Sequence, residues 1–149
     1  MSILRSRLWT LRELQGVREL ALFVYVTAFA ALVPVVMRMP LPRVARLVTR
    51  PPRARRRRYV TAERLERLVA LAPTFARPLV RTGCLTRGIT LFWFLRRAGV
   101  DVELTFGVDP VALDGEGHCW LTLDGEPFLE KVDPRARFTE TYRLPLVRA

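Results

Sequence analysis

The sequence predicts an α+β fold in which a helix that begins with a cysteine packs on a small antiparallel sheet, after a helical N-terminal extension. Up to about residue 99 of the 149-residue chain, apolar residues recur at helical spacing. Beyond that point short segments alternate with period two, and Asp124-Gly125 is a strong hairpin signal. Cys84 opens an apolar helical stretch, and His118, the only histidine, begins a predicted strand.

The net positive charge of the chain lies in its N-terminal part. Residues 1–58 contain thirteen arginines and two glutamates, a difference that equals the whole net charge of +11, so residues 59–149 are neutral. We therefore predict a basic, apolar helical region over 1–58 and a second domain over 59–149. The proline- and arginine-rich linker at 51–58 lacks interleaved aromatic residues, which favours a solvated tether or an acidic partner over nucleic acid.

The N-terminal region contains three predicted helices. An amphipathic pattern covers residues 3–19, and a short basic helix begins at Arg43. Between them, residues 20–37 form 18 consecutive uncharged positions, close to the ~20 that span a bilayer. Two interpretations stay open for this segment: a buried helix that Pro34 ends or kinks, or a membrane-spanning helix.

The second domain is predicted to hold two helices followed by four strands. Thr61 is placed as the N-cap of a helix that Pro73 closes. The helix from Cys84 is apolar nearly all round, so we expect it to be buried, with Gly88 allowing close packing and Gly99 ending it. The predicted strands cover residues 102–108, 118–123, 126–132 and 138–144.

A thiol at a helix N-terminus and a nearby imidazole are the parts that a cysteine hydrolase needs. The helix position lowers the pKa of Cys84, and the backbone N–H groups of the first turn offer an oxyanion hole. His118 is the sole candidate base. Cys119 alternates to the opposite side of the strand and is predicted to be a core residue on the non-catalytic face. No zinc site and no cofactor are expected, because paired metal-ligand spacings are missing.

The third member of a catalytic triad depends on the hairpin turn. Asp124 lies about 20 Å from His118 along a continuous strand and is excluded. A three-residue turn would bring Glu130 to the face of the sheet that carries His118. A two-residue turn would put Glu130 on the opposite face and leave Asp133 as the alternative.

Cysteine usage indicates a reducing compartment. Two cysteines that stand 35 positions apart do not form a disulfide framework. With no cleavable signal peptide evident, we expect a cytoplasmic protein with both thiols reduced.

A set of motifs runs over roughly residues 60–135: Cys84-Leu85-Thr86-Arg87, Leu91, Leu95-Arg96-Arg97-Ala98-Gly99-Val100, Phe106-Gly107-Val108, His118-Cys119-Trp120-Leu121 and Asp124-Gly125. Together these motifs resemble the transglutaminase-like leader peptidase of lasso peptide biosynthesis, the B protein or its C-terminal half. The family commonly has alanine at the position of Cys119. Its acidic triad member falls twelve residues after the histidine, at Glu130 here, where aspartate is more common.

The resemblance implies a papain- or transglutaminase-like fold and an ATP-independent cysteine peptidase. Cys84 would attack the last leader carbonyl of a ribosomally made precursor, His118 would act as base and Glu130 would orient it. The implied partners are the precursor leader, a separate small leader-recognition protein and a macrolactam-forming cyclase, with residues 1–58 as a docking surface.

Two other functions remain open. One is a non-catalytic scaffold that presents the leader within the same complex. The other is a membrane-tethered basic protein that uses residues 20–37 as its anchor, and weak membrane association is open in either case.

Overall fold

The computed structural model describes residues 16–49, 61–76, 80, 83–112 and 115–145. The predicted helix over 3–19 lies almost wholly outside these ranges, and the linker at 51–58 lies wholly outside them. The helices are α1 (Val17–Val36), α2 (Leu41–Val48), α3 (Ala62–Ala76) and α4 (Cys84–Arg97). The strands are β1 (Glu103–Val108), β2 (Gly117–Leu123), β3 (Glu126–Phe128) and β4 (Thr139–Leu144), with a short 3-10 helix at Pro134–Ala136.

The four strands form one antiparallel sheet in the order β3-β2-β1-β4. The α+β fold class, with a cysteine-bearing helix packed on a small sheet, is confirmed. Leu123 pairs with Glu126, so the β2–β3 hairpin has a two-residue turn. Asp124 and Gly125 have φ of 53° and 83°, as the tight turn of a hairpin requires.

The third strand is shorter than predicted, because pairing with β2 ends at Phe128 rather than continuing to residue 132. The next residue, Leu129, has a φ of 60°, a left-handed conformation that breaks the extended chain. The β2 strand therefore continues past the end of β3, and within the described ranges one of its edges is open near His118 and Cys119.

The helix α4 lies at the centre of the fold and is buried along most of its length, as its apolar pattern predicts. It ends in a Schellman motif: the Gly99 N–H donates to Arg96 O at 3.1 Å, the Val100 N–H donates to Leu95 O at 3.0 Å, and Gly99 has a φ of 86°. Gly88 gives close packing, since a Cβ there would lie 3.0 Å from Cys119 Sγ.

The helix α3 begins as predicted and ends later than predicted. The Arg64 N–H donates to Thr61 Oγ1 at 3.3 Å, which confirms Thr61 as the cap. Pro73 does not close the helix, which runs to Ala76. A proline so near the end removes only the hydrogen bond to the Val69 carbonyl, and burial of the apolar face of α3 outweighs that loss.

Among the described residues, the helix α1 packs against α3 and α4 on one side only. Its inner face buries Phe23, Val26, Ala30 and Val33, and Phe29 stacks on Trp93 with ring centroids 5.1 Å apart. Its outer face exposes apolar side chains: Val17 (85% exposed), Leu20, Val24, Leu32 and Val35. By length and composition α1 is able to cross a membrane, and 22% of its most apolar window is buried within the protein.

One hydrophobic core holds residues from both sides of the predicted boundary at 58/59. Val26, Val33, Val44 and Val48 belong to the same buried cluster as Leu91 and its neighbours on α4. The division into two parts stays a prediction, and the helices before residue 50 help to bury the helix that carries Cys84.

Candidate active site

Cys84 is the first residue of α4 and is half-buried. The residue before it, Gly83, is the N-cap and has no side chain with which to cap the helix. The backbone N–H groups at the start of a helix have no intrahelical acceptor, so they point outward beside the Cys84 sulfur. The helix start therefore presents a thiol and hydrogen-bond donors together.

His118 is the second residue of β2 and is held by aromatic rings. Its ring stacks on Phe138 with centroids 5.0 Å apart and on Trp120 with centroids 6.2 Å apart. Trp120 is 1% exposed and belongs to the core. The imidazole thus rests on a rigid support that limits its rotation.

A cavity of about 530 Å³ joins the two residues. Its lining includes Cys84, His118 and both candidate carboxylates, Glu130 and Asp133. The structure therefore brings every predicted site residue to one cavity.

The surroundings of Cys84 lower its pKa to about 5. The largest cause is a hydrogen bond from the Cys119 thiol, which stabilises the thiolate; burial opposes it. The Cys119 backbone N–H and the His118 imidazole lower the pKa further. At neutral pH Cys84 is therefore a thiolate, the form that acts as a nucleophile.

The family of the chain follows from a comparison with family models. The model of the transglutaminase-like superfamily matches residues 23–143, from within α1 to the end of β4. The chain belongs to the transglutaminase-like superfamily. This superfamily has a fold of the papain-like cysteine peptidase type, which agrees with a cysteine at a helix start beside a strand histidine. No curated protein and no solved structure matches the chain.

In this transglutaminase-like domain, the early end of β3 explains how the Cys119 N–H reaches Cys84. The pairs Leu123–Glu126 and Leu121–Phe128 place the N–H of every second β2 residue towards β3. The N–H of Cys119 continues that row, but β3 has already ended. A hydrogen bond from this N–H is among the causes that lower the pKa of Cys84, and it is available because β3 does not extend this far.

Cys119 is a core residue, as predicted, and is 2% exposed. The prediction that it lies on the non-catalytic face is wrong, because its thiol faces α4, the helix that carries Cys84: a Cβ on Gly88 would lie 3.0 Å from Cys119 Sγ. Strand alternation separates the side chains of His118 and Cys119, but Cys84 approaches β2 at its open edge, where groups from both faces are within reach. The hydrogen bond from the Cys119 thiol to Cys84, together with burial, raises the pKa of Cys119 well above the usual range of a thiol.

The two candidate carboxylates are engaged by arginines. Glu130 Oε1 accepts a hydrogen bond from Arg87 Nη1 at 2.6 Å, and Asp133 accepts one from the Arg135 N–H at 2.9 Å. Within the described ranges neither carboxylate is hydrogen-bonded to His118. For a two-residue turn, strand alternation predicts that Glu130 lies on the face opposite to His118 and leaves Asp133 as the alternative. The choice between the two carboxylates stays a prediction.

Arg87 is a site residue that the sequence analysis did not identify. Its guanidinium binds Glu130, Glu66 (Nη2 to Oε1, 2.9 Å) and the carbonyl of Leu129. It thereby fixes the chain where it leaves β3. Arg87 lies one turn after Cys84 on a helix that is predicted to be buried. A charged side chain in such a place requires partners, and this requirement could have identified Arg87 from the sequence.

Proposed function

We propose that this protein is a cysteine peptidase that removes the leader peptide from a ribosomally synthesised lasso peptide precursor during its maturation. One observation carries the proposal: a thiolate at the start of α4 and an imidazole on β2 line a single cavity. The motif resemblance supplies the substrate class, and membership of the superfamily supplies the cysteine peptidase type of fold.

The reaction follows from the groups in the cavity and needs no ATP. The Cys84 thiolate attacks the last leader carbonyl and forms a carbon–sulfur bond, while the oxyanion accepts hydrogen bonds from N–H groups of the first turn of α4. When the thiolate forms, His118 holds the proton of the Cys84 thiol, and it gives this proton to the core peptide, which leaves as an amine when the carbon–nitrogen bond breaks. His118 then accepts a proton from the water that attacks the thioester. The carbon–sulfur bond breaks, Cys84 leaves as a thiolate, and the leader departs as a carboxylate.

In this mechanism Glu130 is the proposed third catalytic residue. Its negative charge in the cavity favours the protonated imidazole that forms during each transfer. Arg87 holds the carboxylate in place from the same helix that carries Cys84. Asp133 is the alternative, since it lines the same cavity.

The exposed apolar face of α1 is the proposed docking surface for the small leader-recognition protein. Val17, Val24, Leu32 and Val35 lie at positions that share one side of a helix, and each is more than half exposed. An apolar face of this kind commonly binds another protein. The macrolactam-forming cyclase is the proposed second partner, and the cytoplasm is the proposed location of the complex.

Cleavage of the precursor tests the proposal. The full chain is incubated with its precursor peptide and the recognition protein, and mass spectrometry follows release of the leader. Cys84→Ala should abolish release, whereas Val111→Ala, at a side chain that is 85% exposed and outside the cavity lining, should release the leader as wild type does. Leader release by a folded Cys84→Ala variant would overturn the proposal.

A non-catalytic scaffold is the second candidate, because Glu130 is paired with Arg87 rather than with His118. Such a scaffold would bind the leader without cleaving it. Leader binding by wild type, measured by fluorescence anisotropy, with no release over hours would favour the scaffold.

A further inference from the structure

We propose that Cys84 and Cys119 form a reversible intramolecular disulfide when a peroxide oxidises Cys84, which makes the cavity a redox modification site. The inference concerns the two sulfur atoms alone. It holds whether or not the protein cleaves a leader peptide.

The geometry places both sulfurs on the same side of α4. Gly88 stands one helical turn after Cys84, and a Cβ built on it would lie 3.0 Å from Cys119 Sγ. Hydrogen bonds from the Cys119 thiol and backbone N–H are also among the causes of the lowered pKa of Cys84, in agreement with neighbouring positions for the two residues. Both thiols are free, so a bond between them requires no exchange with another cysteine.

The two cysteines differ in their access to solvent. Cys84 is half-buried and opens into the cavity, which has room for a small peroxide. Cys119 is 2% exposed, so a peroxide reaches Cys84 first. Accessible thiolates are the cysteines that peroxides oxidise.

In the first step the Cys84 thiolate attacks one oxygen of hydrogen peroxide. The sulfur–oxygen bond forms as the oxygen–oxygen bond breaks, and the departing hydroxide takes a proton to become water. Cys84 is oxidised by two electrons to a sulfenic acid, and the peroxide is reduced.

In the second step the Cys119 sulfur attacks Cys84 Sγ. The sulfur–sulfur bond forms, the sulfur–oxygen bond breaks, and the hydroxide leaves with the proton of the Cys119 thiol as water. The hydrogen bond to the Cys84 thiolate is the largest cause of the raised pKa of Cys119. Conversion of that thiolate to a neutral sulfenic acid removes this cause, so the first step prepares the second.

The disulfide has two consequences for the site. It blocks the nucleophile, and it stops Cys84 from advancing to the sulfinic and sulfonic acids, which cellular thiols do not reduce. A dithiol reductant restores both thiols and becomes a disulfide itself. Cys119 is therefore the resolving residue for Cys84.

The experiment treats the full chain with hydrogen peroxide at neutral pH and measures its intact mass, with no substrate present. Wild type should lose the mass of two hydrogens and regain it with dithiothreitol, and a non-reduced digest should contain Cys84 linked to Cys119. The Cys119→Ala variant should instead gain two or three oxygens at Cys84, and dithiothreitol should not remove them.

Two results would overturn the inference. One is a wild-type protein that gains oxygens at Cys84 without the linked peptide, and the other is a disulfide between two chains, seen as a dimer on a non-reducing gel. If Cys119→Ala does not fold, the masses and the digest of the wild-type protein are sufficient to decide between these results. Failure of the proposed peptidase function would leave these masses unchanged.

Discussion

The reactivity of Cys84 depends on its neighbours on β2 as well as on the start of its own helix. The Cys119 thiol is the largest single cause of the lowered pKa of Cys84, and the hydrogen bond and the charge of His118 lower it too. A side chain in the core thus helps His118 to prepare the nucleophile, and His118 also transfers protons to and from the substrate.

The first prediction concerns the pH dependence of alkylation by iodoacetamide. In wild type the rate of alkylation at Cys84 should fall as the pH is lowered, with a midpoint near pH 5, because the pKa of this thiol is about 5. Cys119→Ala removes the donor that stabilises the thiolate, so the pKa rises and labelling at pH 6 slows. His118→Ala should also move the midpoint upward, because its hydrogen bond and charge lower the same pKa. An unchanged midpoint in Cys119→Ala would contradict the assigned cause.

The second prediction separates the two candidate carboxylates. Glu130→Gln should lower the rate of leader release by roughly 10²-fold or more, the usual contribution of a group in acid–base catalysis. Labelling of Cys84 should stay fast, because Glu130 is not a cause of its lowered pKa. Asp133→Asn serves as the matched control and should keep its activity. The reverse pattern would make Asp133 the third catalytic residue.

At the scale of elements, β1 and β2 support the ring of His118 through a close contact at Gly107. A Cβ on Gly107 would lie 2.8 Å from Trp120 Cη2 and 2.9 Å from the backbone oxygen of Thr139. Since Trp120 also stacks on His118, the packing of β1 fixes the position of the imidazole.

The third prediction follows from that contact. Gly107→Ala should destabilise the protein by about 2 kcal/mol, a typical value for overpacking, because the Thr139 carbonyl cannot rotate away. Urea unfolding measures the change. Gly117→Ala is the matched control on β2: its nearest contact would be 3.8 Å away, and its stability should change by less than about 0.5 kcal/mol. Equal effects at the two glycines would refute this account of the packing.

Periodicity was sufficient to predict α4, β1 and the β2–β3 hairpin, because each depends on residues close together in the sequence. The end of β3 was not predictable in this way. Leu129 adopts a left-handed conformation where Arg87, 42 positions earlier, binds its carbonyl. A local pattern contains no information about such a contact. Pro73 is a similar case, since tertiary burial of α3 extends the helix past a residue that normally ends one.

The residues of the candidate site were also predictable only where they depend on the local sequence. Cys84 and His118 were found because a helix start and a lone histidine are visible in the sequence. The part that Cys119 plays was not visible, because alternation assigns a side chain to a face of the sheet and says nothing about an open edge. That edge exists only because β3 stops at Phe128.

At the scale of the whole molecule, α1 links the N-terminal region to the site. Its inner face shares a core with α4, and the family match begins within it at residue 23. An ion pair between Glu19 and Arg64 also joins α1 to α3. A partner that binds the outer face of α1 would therefore lie one helix away from Cys84.

The fourth prediction tests this docking surface. Leu32→Asp, at a side chain that is 58% exposed, should weaken binding of the recognition protein by about tenfold, since a charge would be buried in an apolar contact. Labelling of Cys84 should not change. Val111→Asp introduces the same charge on a distant loop and should leave binding intact. Equal binding by both variants would place the partner elsewhere.

Capture of the acyl-enzyme tests the central claim most directly. Wild type is mixed with precursor and recognition protein, quenched in acid within the first turnover, and its intact mass is measured. We expect the mass of the protein plus the leader minus one water, located on Cys84 by digestion and missing in Cys84→Ala. Leader release without this adduct, at equal rates in both proteins, would show that Cys84 is not the nucleophile.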